Sequence, residues 1–508
     1  MTHRGNRMYD LNALTQGLNL LMDPYVLLVI LASAVYGLFV GALPGLTATM
    51  AVALLVPVTF FMDPVPALGA IVTMSTMAIF AGDIPTTLLR IPGTPSSAAY
   101  VEDSYRLTQQ GKSSLVLGID VTMSAIGGII GAIILILLAP ALAEVAIKFS
   151  TFEYFWLACI GLSCAVMVSS GSTTKAMLSL LIGLLLNSVG MDVTLGYARF
   201  TMGYVELLDG FAFIPVMIGM FGIVEIFRNV LVEDSHLTPI TVQTKHIFKG
   251  MARLIGQYWR QITRSGLLGT AVGILPGAGA DIAAWVSYGF SKRLSKHPEK
   301  YGTGHVEGIV NATSANNAAV SGAWVPALVF GIPGDSITAI TIGVLYMKGL
   351  NPGPDIFMRS PEVLYAVYAI FILANLLLVP FGWVAIKVAT RMLLVPKKLL
   401  YPVILIFCIV GAFAINNALT DVLFMLIFGI VAYFMVSNDI PVAPAILGLV
   451  LGDLLENSFM VSMIKSDWDL TAFFERPISA FLGVLALLTW LTPFFVPIIK
   501  RKLGLGKS

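Results

Sequence analysis

Three aspartates stand beside proline–glycine pairs in otherwise apolar sequence: Asp83 in "AGDIP", Asp281 in "GAGAD" and Asp335 in "GIPGD". A carboxylate at membrane depth costs about 2.5–3.5 kcal/mol on insertion scales. Each therefore needs a partner, a proton or a bound cation. Ligation of a coupling ion is one use for all three. Capping the helix that restarts after a break is the other, and it suits Asp335 best. Neutral polar groups surround them. Thr47 and Thr49 follow "LPG" at 43–45, Thr94, Ser96 and Ser97 follow "IPG" at 91–93, and Ser336 and Thr338 follow Asp335. The run "NATSANNAAVSG" (311–322) adds Asn311, Thr313, Ser314, Asn316, Asn317 and Ser321. Such hydroxyls and amides bond a carboxylate or coordinate a hard cation through oxygen; their plainer use is to let helices pack closely. Arg90, just before "IPG", either balances an anionic substrate or snorkels to the surface.

Other chemistries lack their residues. Cys159, Cys164 and Cys408 are scattered through apolar runs, and the five histidines (His3, His236, His246, His297, His305) fall in polar stretches without a second ligand at helical spacing. Zinc, haem and iron–sulfur sites are not expected. No Gly-rich break continues into the lysine and hydroxyl of a phosphate-binding loop, so ATP hydrolysis has no support. "GAGAD" has one residue too many for the G-x-G-D of an intramembrane aspartyl protease, and "IPGD" lacks the first glycine. An enzyme is not expected, and neither is a resident cofactor beyond a coupling Na+ or H+.

These residues must be held by membrane helices. The 508-residue chain is 57% hydrophobic and 11% charged, against about 25% charged in soluble domains. Apolar runs recur at 25–43, 115–143, 154–168, 176–189, 211–227, 364–390, 400–418, 421–436 and 478–499. With roughly 20 residues needed to span, the chain reads as all-α and polytopic, with about ten to twelve segments, some short or broken, and no soluble domain. Arg4 and Arg7 precede a polar stretch without a small-residue cleavage site, so the first apolar run reads as a retained helix.

The breaks recur. "GALPG" at 41–45 matches "GILPG" at 273–277, an offset of 232; "PTTLLRIPG" (85–93) matches "PALVFGIPG" (326–334), an offset of 241; "VAIK" at 145 and 384 follows, offset 239. Ordered matches at nearly constant offset predict a duplication: a polar segment over 1–24, a first repeat over 25–227, a basic linker over 228–264, a second repeat over 265–499 and a tail over 500–508. The linker and tail are basic, which places them in the cytoplasm. The loop 291–304 carries Lys292, Arg293, Lys296 and Lys300, whereas its counterpart 57–68 carries only Asp63. Opposite charge character at equivalent loops predicts inverted repeats. Irregular backbone cannot face lipid, so each Pro-Gly break must be covered by protein or line a watery cavity. There it presents helix N-termini that favour an anion.

The pairing of "GALPGLTATMAVALL" with "GDIPTTLLRIPGTPSSAA", and of "GILPGAGADIAAWVSY" with "NATSANNAAVSGAWVPALVFGIPGDSITAITIGVLY", resembles the large membrane subunit of bacterial tripartite tricarboxylate transporters, the TctA family, over roughly 20–500. The resemblance implies an inner-membrane secondary transporter, driven by an ion gradient, that imports citrate and related carboxylates. It also implies two partners, a small membrane subunit and a periplasmic binding protein that delivers substrate. The substrate-site candidates it carries over are Pro44, Gly45, Thr47, Pro92, Gly93, Ser96, Pro276, Gly277, Asn316, Asn317, Pro333, Gly334 and Ser336, with Asp83, Asp281 and Asp335 as coupling-ion candidates. The leading expectation is thus a Na+- or H+-coupled carboxylate symporter; an anion-selective channel for small carboxylates is the alternative. No nucleic-acid partner is expected, and homo-oligomerisation is left open, as are the carboxylate and the mode of movement. The acidic stretch 191–210 is a place for the binding protein to dock.

Overall fold

A computed structural model describes residues 11–43, 46–169, 172–192, 196–230, 247–393 and 397–502. Pro44 and Gly45 lie outside the described residues, as do 231–246 of the expected linker and most of the tail. The regular structure of the described chain is helical apart from one antiparallel ladder, Gly190–Met191 with Ala198–Arg199.

Six described helices are long and apolar enough to cross a membrane: Pro24–Gly41, Pro64–Leu89, Ser113–Ala146, Pro361–Ala389, Leu419–Ser437 and Ala443–Lys465. Shorter apolar helices accompany them, among them Ala48–Thr59 and Ser336–Met347. The expected all-α polytopic membrane protein is the observed fold. Helix Pro64–Ala81 is buried along almost its entire length, which explains why its sequence carries no polar stripe. Helix Met251–Ile274 starts inside the stretch read as linker.

The chain divides into two compact units, each drawing on both halves of the sequence. The first comprises Met1–Ala143 with Ile214–Tyr433, the second Glu144–Phe213 with Phe434–Ser508. Within the first, Pro24–Gly41 packs on Pro64–Ala81, and Met251–Ile274 packs on Val306–Phe330. A Cβ at Gly37 or Gly41 would run into the carbonyls of Met74 and Ala78; one at Gly269 or Gly273 would run into those of Ala315 and Ala319. The glycines let each pair of helices run parallel in backbone contact. These contacts are related by the offsets of the sequence motifs, 232 for the glycines and 241 for their partners.

In the second unit, Ala443–Lys465 packs on Thr151–Val168 and Thr173–Asn187, and Pro477–Lys502 covers Thr151–Val168. Several of its charges are paired. Arg199 forms a two-pronged bond to Glu456 (Nη2–Oε2 3.0 Å) and meets Asp192 at 3.3 Å. Glu153, fully buried, meets Arg476 Nε at 2.9 Å and accepts the Ser150 N–H at 2.7 Å. Around Phe473 pack Phe152, Phe155, Trp156 and Phe459.

Candidate functional site

The second and fourth breaks have one geometry. Helix Asp83–Leu89 ends at Arg90 in the left-handed conformation (φ 60°), and the Ile91 N–H returns to the Pro85 carbonyl at 3.4 Å. Helix Val306–Phe330 ends at Gly331 (φ 69°), and the Ile332 N–H returns to the Pro326 carbonyl at 3.3 Å. This is the left-handed helix stop, with a return bond to the residue six positions back. Next comes a tight crossing: Gly93 lies against Gly82, and Gly334 against Ala323. A small polar residue then caps the restart. Thr94 Oγ1 accepts the Ser97 N–H at 3.2 Å; Asp335 Oδ1 accepts the Thr338 N–H at 2.8 Å. Each residue of the second set lies 241 positions after its counterpart.

The capping position therefore differs in charge. Thr94 is neutral, and its hydroxyl also meets Ser96 Oγ at 2.7 Å. Thr86 ties this break together, donating to the Gly82 carbonyl at 2.8 Å and accepting the Gly93 N–H at 3.2 Å. Asp335 is anionic and spends Oδ1 on the backbone and hydroxyl of Thr338. The capping geometry weighed for Asp335 from sequence is thus present at the start of Ser336–Met347.

At the third break Leu275 turns extended, Gly277 (φ 81°) and Gly279 (φ 54°) are left-handed, and helix Gly279–Leu294 begins. Gly279 has no room for a Cβ because the Asp335 side chain lies against it, and Gly334 packs on the Gly273 carbonyl. Trp285 Nε1 donates to the Pro95 carbonyl at 3.1 Å. Asp281 is exposed, faces the Ser96 backbone N–H and lies near Asp335. Three breaks, 91–97, 273–279 and 332–336, thus meet in the first unit. At the first break Thr47 caps Ala48–Thr59 by accepting the Met50 N–H at 3.1 Å, and that helix packs on Ser336–Met347.

Ser96, Asp281, Asp335, Gly277 and Gly334 are accordingly brought together, with half-buried Ser336 and Thr47 on the neighbouring helices. Pro92 is exposed, Pro276 partly so, and Pro333 buried. Asn316 and Asn317 are fully or nearly fully buried on Val306–Phe330, and Asn317 Nδ2 donates to Asn375 Oδ1 at 3.3 Å. Arg90 donates to Glu102 through Nε at 3.0 Å.

Asp83 belongs to a different group. It accepts the Tyr100 hydroxyl and lies close enough to Asp120 for the two charges to repel. Asp120 accepts the Thr87 hydroxyl at 3.3 Å. Both aspartates are fully buried. Sequence reasoning missed Asp120, because it absorbed "GIDVTMSAIGG" into the apolar run 115–143. The signal was there: a lone carboxylate in a spanning helix is costly and calls for a reason.

Comparison with known proteins agrees with this architecture. The family model described as "Tripartite tricarboxylate transporter TctA family" matches residues 27–447. An uncharacterised 52.8 kDa protein of the TAR-I ttuC' 3' region of Agrobacterium vitis is 34% identical over 478 residues, covering 93% of this chain and 94% of the relative. An uncharacterised protein of the TAR-II ttuC' 3' region of the same organism is 38% identical over 212 residues, covering 42% of this chain and 88% of the relative. No solved structure matches. The match over most of the length places a multi-pass membrane chain, with partner subunits, in a transporter family rather than an enzyme family: the chain belongs to the TctA family of tripartite tricarboxylate transporters.

Proposed function

We propose that this chain is the translocating subunit of a cation-coupled symporter that imports di- or tricarboxylates across a bacterial inner membrane. The observation that carries this reading is the meeting of three broken segments in one unit of a TctA-family chain. There, backbone N–H groups and hydroxyls stand beside the carboxylates of Asp281 and Asp335. Broken helices of this kind hold anionic substrates at their N-termini and cations at carbonyls and carboxylates. The substrate carboxylates would sit against Thr47, Ser96, Gly277 and Ser336. Thr94 leaves the 94–97 turn uncharged where Asp335 makes its counterpart acidic, so the 94–97 turn is the better place for a substrate carboxylate. The repeated stop, crossing and cap at offset 241 support a duplicated unit, and the loop charges support its inversion. A small membrane subunit and a periplasmic binding protein complete the transporter.

The test is uptake of radiolabelled citrate and a panel of other carboxylates into proteoliposomes holding this chain and its small subunit. The binding protein is supplied outside, and Na+ and H+ gradients are imposed separately. Accumulation above the external concentration under one gradient is the expected result. Flux that only equilibrates would identify an anion channel instead.

A further inference from the structure

The break network leaves one group of buried polar atoms unexplained. Tyr100 uses Asp83 Oδ1 and Thr87 uses Asp120 Oδ2, but Asp83 Oδ2 and Asp120 Oδ1 have no hydrogen-bond partner. Among the described residues no lysine, arginine or histidine acts on either carboxylate. A side chain that is not acidic points to the same place. Asn316, with no exposed surface, reaches from Val306–Phe330 toward the Tyr100 hydroxyl, yet neither its Oδ1 nor its Nδ2 completes a hydrogen bond. Ser124, one turn beyond Asp120 on the same helix face, is fully buried with an unpartnered hydroxyl.

Four open oxygens from three helices are more than one shared proton can satisfy, since a proton bridges only two. A small hard cation gathers several carboxylate, amide and hydroxyl oxygens at once. An anion is excluded by the two carboxylates. We propose that Asp83, Asp120, Asn316 and Ser124 form the binding site for the coupling cation, a dehydrated hard monovalent ion for which Na+ is the probe. The single positive charge leaves one negative charge, which the Tyr100 and Thr87 hydroxyl donors solvate. Asn316 then serves the cation rather than the carboxylate substrate, and Asp281 and Asp335 remain with the breaks. This assignment rests on the reading of the chain as a cation-coupled carrier.

The experiment is thermal unfolding of the purified full chain in detergent, with NaCl exchanged for choline chloride at constant ionic strength and no carboxylate present. The wild-type midpoint is expected to rise saturably with Na+. Asp120→Asn and Asn316→Ala are expected to raise the half-saturating Na+ concentration at least about tenfold, a loss of about 1.4 kcal/mol; Ser124→Ala raises it less, and Asp355→Asn, in an exposed pair with Arg359, leaves it unchanged. Should Asp120→Asn fail to fold, Asn316→Ala and Ser124→Ala carry the test. A wild-type midpoint indifferent to Na+, or variants that keep the wild-type half-saturation, would overturn the assignment. Failure of the carrier reading shows separately, as wild-type uptake that no gradient concentrates.

Discussion

The two units treat charge in opposite ways. In the second, Arg199 is forked onto Glu456, Arg476 answers buried Glu153, and Lys175 reaches Asp439 at 3.6 Å. In the first, Asp83 and Asp120 are buried without a basic partner, and Asp281 and Asp335 stand near each other. A buried pair whose members satisfy each other has no need of a ligand, and removing one member strands the other. An unpartnered carboxylate raises the energy of the protein until something binds, so it is kept only where binding is useful. The comparison sorts the acidic residues into those that hold the fold and those that wait for a ligand.

The sharpest way to break that division is Asp83→Asn. Concentrative uptake should fall by about a hundredfold or more, equivalent to about 3 kcal/mol in the transport barrier. The thermal midpoint in Na+-free buffer should stay level or rise, because an uncompensated buried charge has been removed. A midpoint that falls with the activity would move Asp83 into the structural class.

Glu153→Gln tests the other side. It strands Arg476 and weakens the reciprocal cap with Ser150. Because Arg476 is 44% exposed and finds water, the loss should be about 2 kcal/mol, below the 3–5 kcal/mol of a fully buried pair. Denaturant unfolding should show it, while the folded variant transports with unchanged half-saturation.

How far these assignments could be read beforehand depended on what the signal was. The apolar runs located membrane helices because bilayer thickness fixes their length: 115–143 is Ser113–Ala146, and 421–436 is Leu419–Ser437. The breaks were legible because proline and glycine are costly inside a helix. Their shared stop at Arg90 and Gly331 was not, since an arginine in the left-handed conformation leaves no trace in residue type. Asp120 was hidden by its setting, an isolated polar residue averaged away in a long hydrophobic stretch. Division into units was also closed to sequence, because an apolar face does not say which other apolar face covers it. Pro44 and Gly45, singled out from the first motif, lie outside the described residues.

Smaller effects sharpen the break itself. Ser336 is half-buried at the first turn of Ser336–Met347, and its hydroxyl takes no part in the Asp335–Thr338 cap. Ser336→Ala should therefore leave the helix start intact. If the hydroxyl bonds a substrate carboxylate, its loss costs about 0.5–1.5 kcal/mol, which raises half-saturation about two- to tenfold. Initial-rate uptake against carboxylate concentration measures this. An unchanged half-saturation would remove Ser336 from the substrate site.

The smallest expected effect concerns the cation that sequence left between two roles. Arg90 is 56% exposed and is joined to Glu102, itself 41% exposed, with Arg106 at 3.8 Å from the same carboxylate. Its charge is spent in the manner of the second unit, although it stands in the first. Exposed pairs contribute about 0–1 kcal/mol, so Arg90→Gln should change stability little and half-saturation less than about threefold. An arginine bound to the substrate carboxylate would cost about 1.5–3 kcal/mol, more than about tenfold. Glu102→Gln separates the cases further. If Arg90 only neutralises Glu102, freeing it leaves uptake as it was. If releasing Arg90 tightens substrate binding, the pair competes with the substrate for the guanidinium, and partnership in the structure would no longer be a sign that a charge is idle.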